Sequence, residues 1–394
     1  MKIAIIGKGT SAIISALTCI LRGHEVEIYY DPDKPCLNVG ESTTPIISNL
    51  LYNVLDICVG DLVDNGIASV KNGIKFINWG YGKSDYFRHH FSSNLDAFQF
   101  ESSIFNPFIH KKIEELGIVY HAKKVTQYGL DTENDKIIID QDKYDFLISC
   151  AGWSDTDEYN DPIFETVNSG ILYIKDGIDD PTYTIHCATE HGWQFGLPFP
   201  HRNLTKCGYF FNKKFENKEE LQKKLGKENC RTIDWKQKYA KRMVTNKYEA
   251  YNGNRLMFLD PLHALGLHYY ARFAEYICDY LDDRTLATFE LCNHRYYQDM
   301  FDLQISVAFH YSYGSKFDSV FWKDAHKRSE DFLNLHPKYQ KQSLQYSYNY
   351  SHKYRNDDLM NIGVFGYQDY RALHSGMTGT PMNEICKDIF IPGF

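Results

Sequence analysis

The stretch Gly7-Lys8-Gly9-Thr10-Ser11-Ala12 carries the clearest chemistry in this sequence. An apolar run, Lys2 to Ile6, precedes it, and Ile13 to Leu21 resumes with helical spacing. Gly23-His24 closes that helix, and Val26 to Tyr30 reads as a second strand. Strand, glycine turn, helix and strand form the unit that holds a dinucleotide pyrophosphate on a helix N-terminus. Gly7 permits the tight turn, Gly9 lets backbone approach phosphate, and Ala12 stands where a third glycine is usual. Two plainer readings are a secretory signal and a pair of helix-packing glycines. Gly7, Lys8 and Gly9 interrupt the apolar region, and no A-x-A-like cleavage site follows, which weighs against the first. The usual ribose-binding acid is replaced by Tyr30, with Asp31 one residue later. Ribose contact therefore falls to Asp31 or is weaker.

The elements that must position this turn belong to a chain of 394 residues, enough for one large core or two domains. A net charge of -8 argues against nucleic acid as a main partner. No apolar run reaches the length of about eighteen residues that a membrane span needs. Ten cysteines without a C-x-x-C suit a reducing cytoplasm, and no His/Cys spacing predicts a metal site.

After a loop from Asp31 to Asn38, Pro45 opens a helix that Ser42, Thr43 or Thr44 could cap, with Ile46, Ile47, Leu50, Leu51 and Val54 as its apolar stripe. Gly40 and Glu41 precede it, either as part of a capped helix start or as part of the cofactor site. Ile74 and Phe76 alternate with Lys75 and Ile77 as a strand. Lys71, just before it, reads without further context as a surface lysine. Residues 81–108 are aromatic and polar, an excursion toward a substrate surface. A short helix is expected over Pro107–Leu116, a strand over Val119–Val125, and a meander through Ile137–Ile139. Tyr144 to Gly152 is an apolar strand ending in small residues. Strands follow over Ser169–Ile174, Tyr183–Ala188, His191–Pro198 and Gly208–Asn212. Lys213–Lys247 reads as a charged, mostly helical insertion. Leu256 to Leu267 is a strand, a turn and a second helix start, whose N–H groups suit an anion. The remainder is helix-rich and aromatic.

In order, these stretches resemble the flavin-dependent halogenases of the tryptophan-halogenase class. Gly40-Glu41-Ser42-Thr43-Thr44-Pro45 resembles that family's G-E-x-T-x-P segment, and Val70-Lys71-Asn72-Gly73-Ile74 its F-K-x-x-I motif. Trp193-Gln194-Phe195-Gly196-Leu197-Pro198 is similar to W-x-W-x-I-P. Phe258-Leu259-Asp260-Pro261-Leu262-His263-Ala264-Leu265-Gly266 resembles F-x-E-P-L-E-S-T-G. The resemblance implies an α/β fold: a Rossmann-like, doubly wound FAD-binding domain with a β-meander and a second sheet. It implies a module over residues 1–280 with substrate-facing insertions near 81–110 and 213–250. A helical substrate-binding region would cover 281–394. Reduced FAD, O2 and halide would be consumed, and a separate flavin reductase would be the partner. A flavin C4a-hydroperoxide would yield hypohalous acid, which passes through a tunnel to Lys71 and from there to an electron-rich aromatic substrate.

The same resemblance assigns FAD contacts to Gly7, Gly9, Thr10, Ser11, Ala12, Tyr30, Asp31, Gly40, Glu41, Val125, Gly152, Asp260, Pro261, Gly266 and Leu267. Halide would rest against Leu265 and Gly266, and Trp193, Phe195 and Pro198 would wall the tunnel. His263 replaces a glutamate; a neutral imidazole can accept a proton near neutral pH, or the residue is inert. Ala264 and Leu265 replace Ser and Thr, which favours bromide or iodide over chloride. Two other readings are a flavin-dependent aromatic hydroxylase and a non-catalytic flavin-fold protein. A hydroxylase binding NAD(P)H itself would show a second nucleotide fingerprint, and none is visible. The tail from Ser375 is compatible with an arm packed on a second copy in a homo-oligomer.

Overall fold

The computed structural model describes residues 1–34, 40–91, 96–154, 158–163, 165–335, 365 and 367–382. Nine α-helices occur among them: α1 Thr10–Leu21, α2 Pro45–Leu55, α3 Val59–Asp64, α4 Ser102–Glu115, α5 Lys218–Lys224, α6 Gly266–Asp282, α7 Leu286–Tyr311, α8 Val320–Leu335 and α9 Tyr367–Thr378. None is long and apolar enough to cross a membrane. The chain divides into two compact units that interleave in sequence. The first takes residues 1–71, 93–161 and 238–297; the second takes 72–92, 162–237 and 298–394. Residues 1–280 therefore contribute to both units.

The first unit is built on a six-stranded sheet in the order Val244–Asn246, Glu249–Tyr251, Phe146–Ser149, Lys2–Ile6, Glu25–Tyr30, Val119–Ala122. All its pairings are parallel except the first. Ile3, Ala4 and Ile5 are fully buried, as expected of a central parallel strand covered on both faces. Strands Gly129–Asp131, Lys136–Ile139 and Asp142–Tyr144 form the antiparallel meander. A separate three-stranded sheet sets Ala97–Glu101 between Gly40–Ser42 and Ala68–Lys71. The doubly wound sheet, the meander and the helical C-terminal region agree with the sequence reading.

The second unit is a seven-stranded sheet. Its order is Arg231–Asp234, Ser169–Asp176, Leu204–Phe211, Gly192–Phe199, Tyr183–Thr189, Gly73–Ile77, Tyr86–His90. The pairing expected of the Trp193 and Gly208 strands is present, with Trp193 opposite Phe210.

Three local expectations need correction. The segment Lys213–Lys247 is not mostly helical: α5 covers Lys218–Lys224, and strands Arg231–Asp234, Lys238–Ala240 and Val244–Asn246 follow. Arg231–Asp234 owes its strand to pairing with Ser169–Leu172 far away in sequence, which outweighs local helical propensity. The helix expected at Pro107 begins at Ser102, with Pro107 inside it. The proline removes one backbone bond there, and the burial of Ser102, Phe105, Asn106 and Ile109 holds the turn nonetheless. Lys71 does not merely precede the Gly73 strand: it ends a strand of its own, in a different sheet.

Within the second unit, Gly80 (φ +72°) is held by its N–H to Gly314 O at 2.9 Å, and a Cβ there would lie 2.2 Å from Met377 O. Gly80→Ala is expected to cost about 3 kcal/mol, the sum of left-handed strain and overpacking. Urea unfolding monitored by fluorescence checks this.

Candidate functional site

The glycine turn has the geometry of a phosphate cradle. Gly7 adopts φ +132° and donates its N–H to Tyr29 O at 2.8 Å; a Cβ there would lie 3.1 Å from Cys150 O. At Gly9 a Cβ would meet nothing within 4 Å, so the space before α1 is open. Gly9 is the N-cap of α1, with no side-chain cap and no acid in the first turn. Open space at Gly9 and an uncapped helix start fit the pyrophosphate of a dinucleotide such as FAD. Ala12 is fully buried, so its methyl packs where a third glycine would lie. Tyr30 carries Lys8 Nζ over its ring at 4.0 Å, and Asp31 faces Lys124 at 3.7 Å. Val125 packs on the cluster around Ala4, Tyr29 and Tyr144. Gly152, at φ +84°, follows the strand Phe146–Ser149.

Glu41 is joined to this turn. Its Oε1 accepts from Thr10 Oγ1 at 2.9 Å and from Ser102 Oγ at 2.8 Å, and Thr10 also donates to Asn106 Oδ1 at 3.1 Å. Burial raises the Glu41 pKa, and the two hydroxyl donors oppose that rise.

Two residues on, Thr43 ties the segment to the Ala97–Glu101 strand. Its N–H and Oγ1 both donate to Phe98 O at 2.8 Å, and Phe98 N–H donates back to Oγ1 at 2.9 Å. The Thr43 carbonyl is left facing Lys71, whose Nζ donates to it at 3.0 Å. Lys71 is 1% exposed, so the surface reading of this lysine is overturned. Desolvation lowers its pKa from the ordinary lysine value to about 7, leaving the amine divided between its two forms near neutrality. Thr44 is the N-cap of α2 by position, but no side-chain bond caps that helix. Its Oγ1 instead meets His268 Nδ1 at 2.9 Å.

His268 lies in the first turn of α6, two residues after Gly266. Burial lowers its pKa to about 4, so the imidazole is neutral. Sequence reading missed this residue; its place just after the second helix start was the available signal. Before α6, Asp260 Oδ1 accepts from Leu262 N–H at 3.0 Å, closing a turn after which Pro261 O accepts from Ala264 N–H at 3.0 Å. His263 and Ala264 both hold left-handed backbone, φ +76° and +55°. Such strain in non-glycine residues costs about 1–3 kcal/mol each and gathers at functional sites. His263 is 2% exposed, and Leu265 and Leu267 are buried. α6 starts with no side-chain cap and no acid in its first turn.

The segment Glu41–Thr44 thus carries these hydrogen bonds within the first unit: Glu41 to Thr10 of α1, the Thr43 carbonyl to Lys71, and Thr44 to His268 at the start of α6. Trp193, Phe195 and Pro198 belong to the second unit. Trp193 is fully buried against Phe210 and His186, each at 5.0 Å between ring centroids; Phe195 packs on Phe210, and Pro198 is buried opposite Thr205. Glu27, His121 and Asp142 bring potential metal-binding atoms within 4.8 Å of one another. They already satisfy each other and their neighbours: His121 and Tyr144 bond Glu27, and Lys2 pairs with it at 2.7 Å.

The family model of tryptophan halogenase matches residues 2–105 and 93–364. The chain belongs to the tryptophan halogenase family, a family of flavin-dependent enzymes. Tryptophan 7-halogenase RebH of Lentzea aerocolonigenes is 29% identical over 153 residues, which are 36% of this chain and 28% of that protein. The match thus spans little more than a quarter of that relative's length. Among solved structures, a tryptophan halogenase from Shewanella frigidimarina is similar with TM-score 0.79 at 16% identity, covering 98% of this chain and 93% of that one. BrvH, a flavin-dependent halogenase from Brevundimonas sp. BAL3, gives TM-score 0.76 at 14% identity over 98% and 94%. At these identities the structural likeness establishes the fold.

The buried amine has a thermodynamic signature. An unfolded lysine keeps its proton up to about pH 10.4, whereas folded Lys71 loses it near 7. The unfolded state therefore binds more protons between these values, and stability rises with pH across that window. Lys71→Met removes this dependence. Its stability gain over the wild type should be largest below pH 7 and shrink by a few kcal/mol toward pH 10, read by urea denaturation of both proteins across the range.

Proposed function

We propose that this chain is the halogenating component of a two-component system. It would act on an electron-rich aromatic or heteroaromatic small molecule, with reduced FAD supplied by a separate flavin reductase. The observation that carries this reading is Lys71: an almost fully buried amine, poised near neutrality, aligned with the family's lysine motif. A nucleophilic nitrogen that also donates a hydrogen bond can accept or hold an electrophilic halogen, and desolvation keeps a useful fraction unprotonated at pH 7.

The glycine turn and the start of α1 would hold the pyrophosphate, with Glu41 beside them. When bound, reduced FAD would give two electrons to O2, and the peroxide-level oxygen so formed would oxidise halide to hypohalous acid. Thr43 would hold the Lys71 amine by its carbonyl, and the unprotonated nitrogen would meet the incoming electrophile. The uncapped start of α6, at Leu265 and Gly266, is the proposed resting place of halide. His263 is the proposed acceptor of the ring proton, and the bulk of Trp193 and Phe195 is assigned, on the motif alone, to keeping the aromatic substrate from the flavin. Ala264 and Leu265 offer no side-chain hydroxyl there, which favours a large, weakly hydrated halide.

The test combines the full chain, FAD, a flavin reductase, NADH and equal chloride, bromide and iodide with a panel of phenols and indoles, read by mass spectrometry. Halide-dependent mass gain is expected, with bromide or iodide products exceeding chloride products. A gain of one oxygen would instead establish the hydroxylase reading. Lys71→Ala should lose at least a hundredfold in halogenation while retaining FAD binding; an active variant would remove the lysine from the mechanism. The wild-type rate should rise with pH through about 7, as the ammonium gives way to the amine.

A further inference from the structure

α1 and α6 pack against one another, and their contact carries two thiols. Cys19 of α1 and Cys278 of α6 lie 259 residues apart in sequence, with their Sγ atoms 3.9 Å apart. Both are free and 0% exposed. His24, half-buried just beyond α1, stands beside Cys278, and its Nε2 lies 3.8 Å from Asp282 Oδ1 at the end of α6. A thiol, an imidazole and a carboxylate therefore follow one another, with a second thiol in contact with the first.

The electrostatics separate the two sulfurs. Cys278 is lowered to about 7, first by the Cys19 S–H donating to it and also by His24, with burial opposing. Cys19 is pushed up by the same hydrogen bond and by burial. Contact with Cys19 and His24 favours the thiolate at Cys278 over that at Cys19, so Cys278 is assigned the attacking role and Cys19 the resolving one.

We propose that Cys19 and Cys278 form an oxidation site, at which hydrogen peroxide converts the pair into an intramolecular disulfide joining α1 to α6. The Cys278 thiolate attacks one peroxide oxygen, the O–O bond breaks, and a sulfenic acid and hydroxide result. Cys19 sulfur then attacks Cys278 sulfur. The S–O bond breaks, the leaving hydroxide takes the Cys19 proton, and water departs. Two thiols and one peroxide give one disulfide and two waters. Each sulfur gives up one electron, and the peroxide is reduced. To form the bond the sulfurs must close from 3.9 Å to about 2.05 Å. α1 begins at Thr10, after its N-cap Gly9, and α6 at Gly266, so the bond would tie together the two helices whose starts belong to the candidate site. Reduced flavins transfer two electrons to O2 and release hydrogen peroxide when no substrate consumes the activated oxygen, so the oxidant is one that flavin chemistry can generate. The thiol geometry stands independently of the halogenation reading, and added peroxide suffices to test it.

The experiment treats the reduced full chain with hydrogen peroxide, blocks remaining thiols by alkylation in denaturant, and maps peptides without reduction. The expected result is a Cys19–Cys278 linked peptide, two hydrogens lighter than its parts and cleaved by dithiothreitol. The oxidised protein should melt about 5 °C higher, because the cross-link closes a very long loop. Cys19→Ser should show neither the link nor the rise. Recovery of both cysteines alkylated, oxidised to sulfinic acid, or joined to other cysteines would overturn the proposal.

Discussion

Burial of a lysine amine against a backbone carbonyl is the constraint on which the rest of the candidate site depends. An ammonium taken out of water costs several kcal/mol, and a protein tolerates it only where the surrounding backbone cannot move away. Here the frame is the small sheet of Gly40–Ser42, Ala97–Glu101 and Ala68–Lys71. Its middle strand is buried along its whole length, and Thr43 is bonded to Phe98 through both its amide and its hydroxyl. The carbonyl that receives Lys71 is therefore held by bonds that do not involve the lysine.

The same segment holds the second shifted group. Glu41 is raised by burial while Lys71 is lowered by it, so both sit nearer their neutral forms than in water. Thr10 connects Glu41 to the helix that begins the nucleotide turn, and Thr44 connects the other end of the segment to α6 through His268. Five residues, Gly40 to Thr44, thereby couple three elements that the chain supplies far apart. A threonine at position 44 that capped α2 could not do this; its hydroxyl is spent on His268 instead.

What could be read from the sequence was what local chemistry determines. The strand, glycine turn and helix from Lys2 to Leu21 are contiguous, and each glycine has a local reason to be there. Lys71 is the opposite case. Its strand is four residues long and exists through pairing with Ala97–Glu101, so nothing nearby distinguished it from a surface lysine; the motif alignment did. Arg231–Asp234 failed for the same reason, as a short charged segment made into an edge strand by Ser169–Leu172. The interleaving of two units also follows from long-range pairing, as Gly73–Ile77 joins the sheet of Tyr183–Thr189 immediately after Lys71 ends its own. His268 was invisible because its partner, Thr44, had a sufficient local explanation as a helix cap.

Halogen transfer through Lys71 requires an amine that can lose its proton near neutrality inside the folded chain. Heteronuclear NMR titration of lysine-labelled protein, with Lys71→Met to assign the resonance, measures this directly. A Lys71 midpoint near 7 is the predicted result. A midpoint at the ordinary value of about 10 would contradict it, because the amine would then be a solvated ammonium with no lone pair to offer at neutral pH.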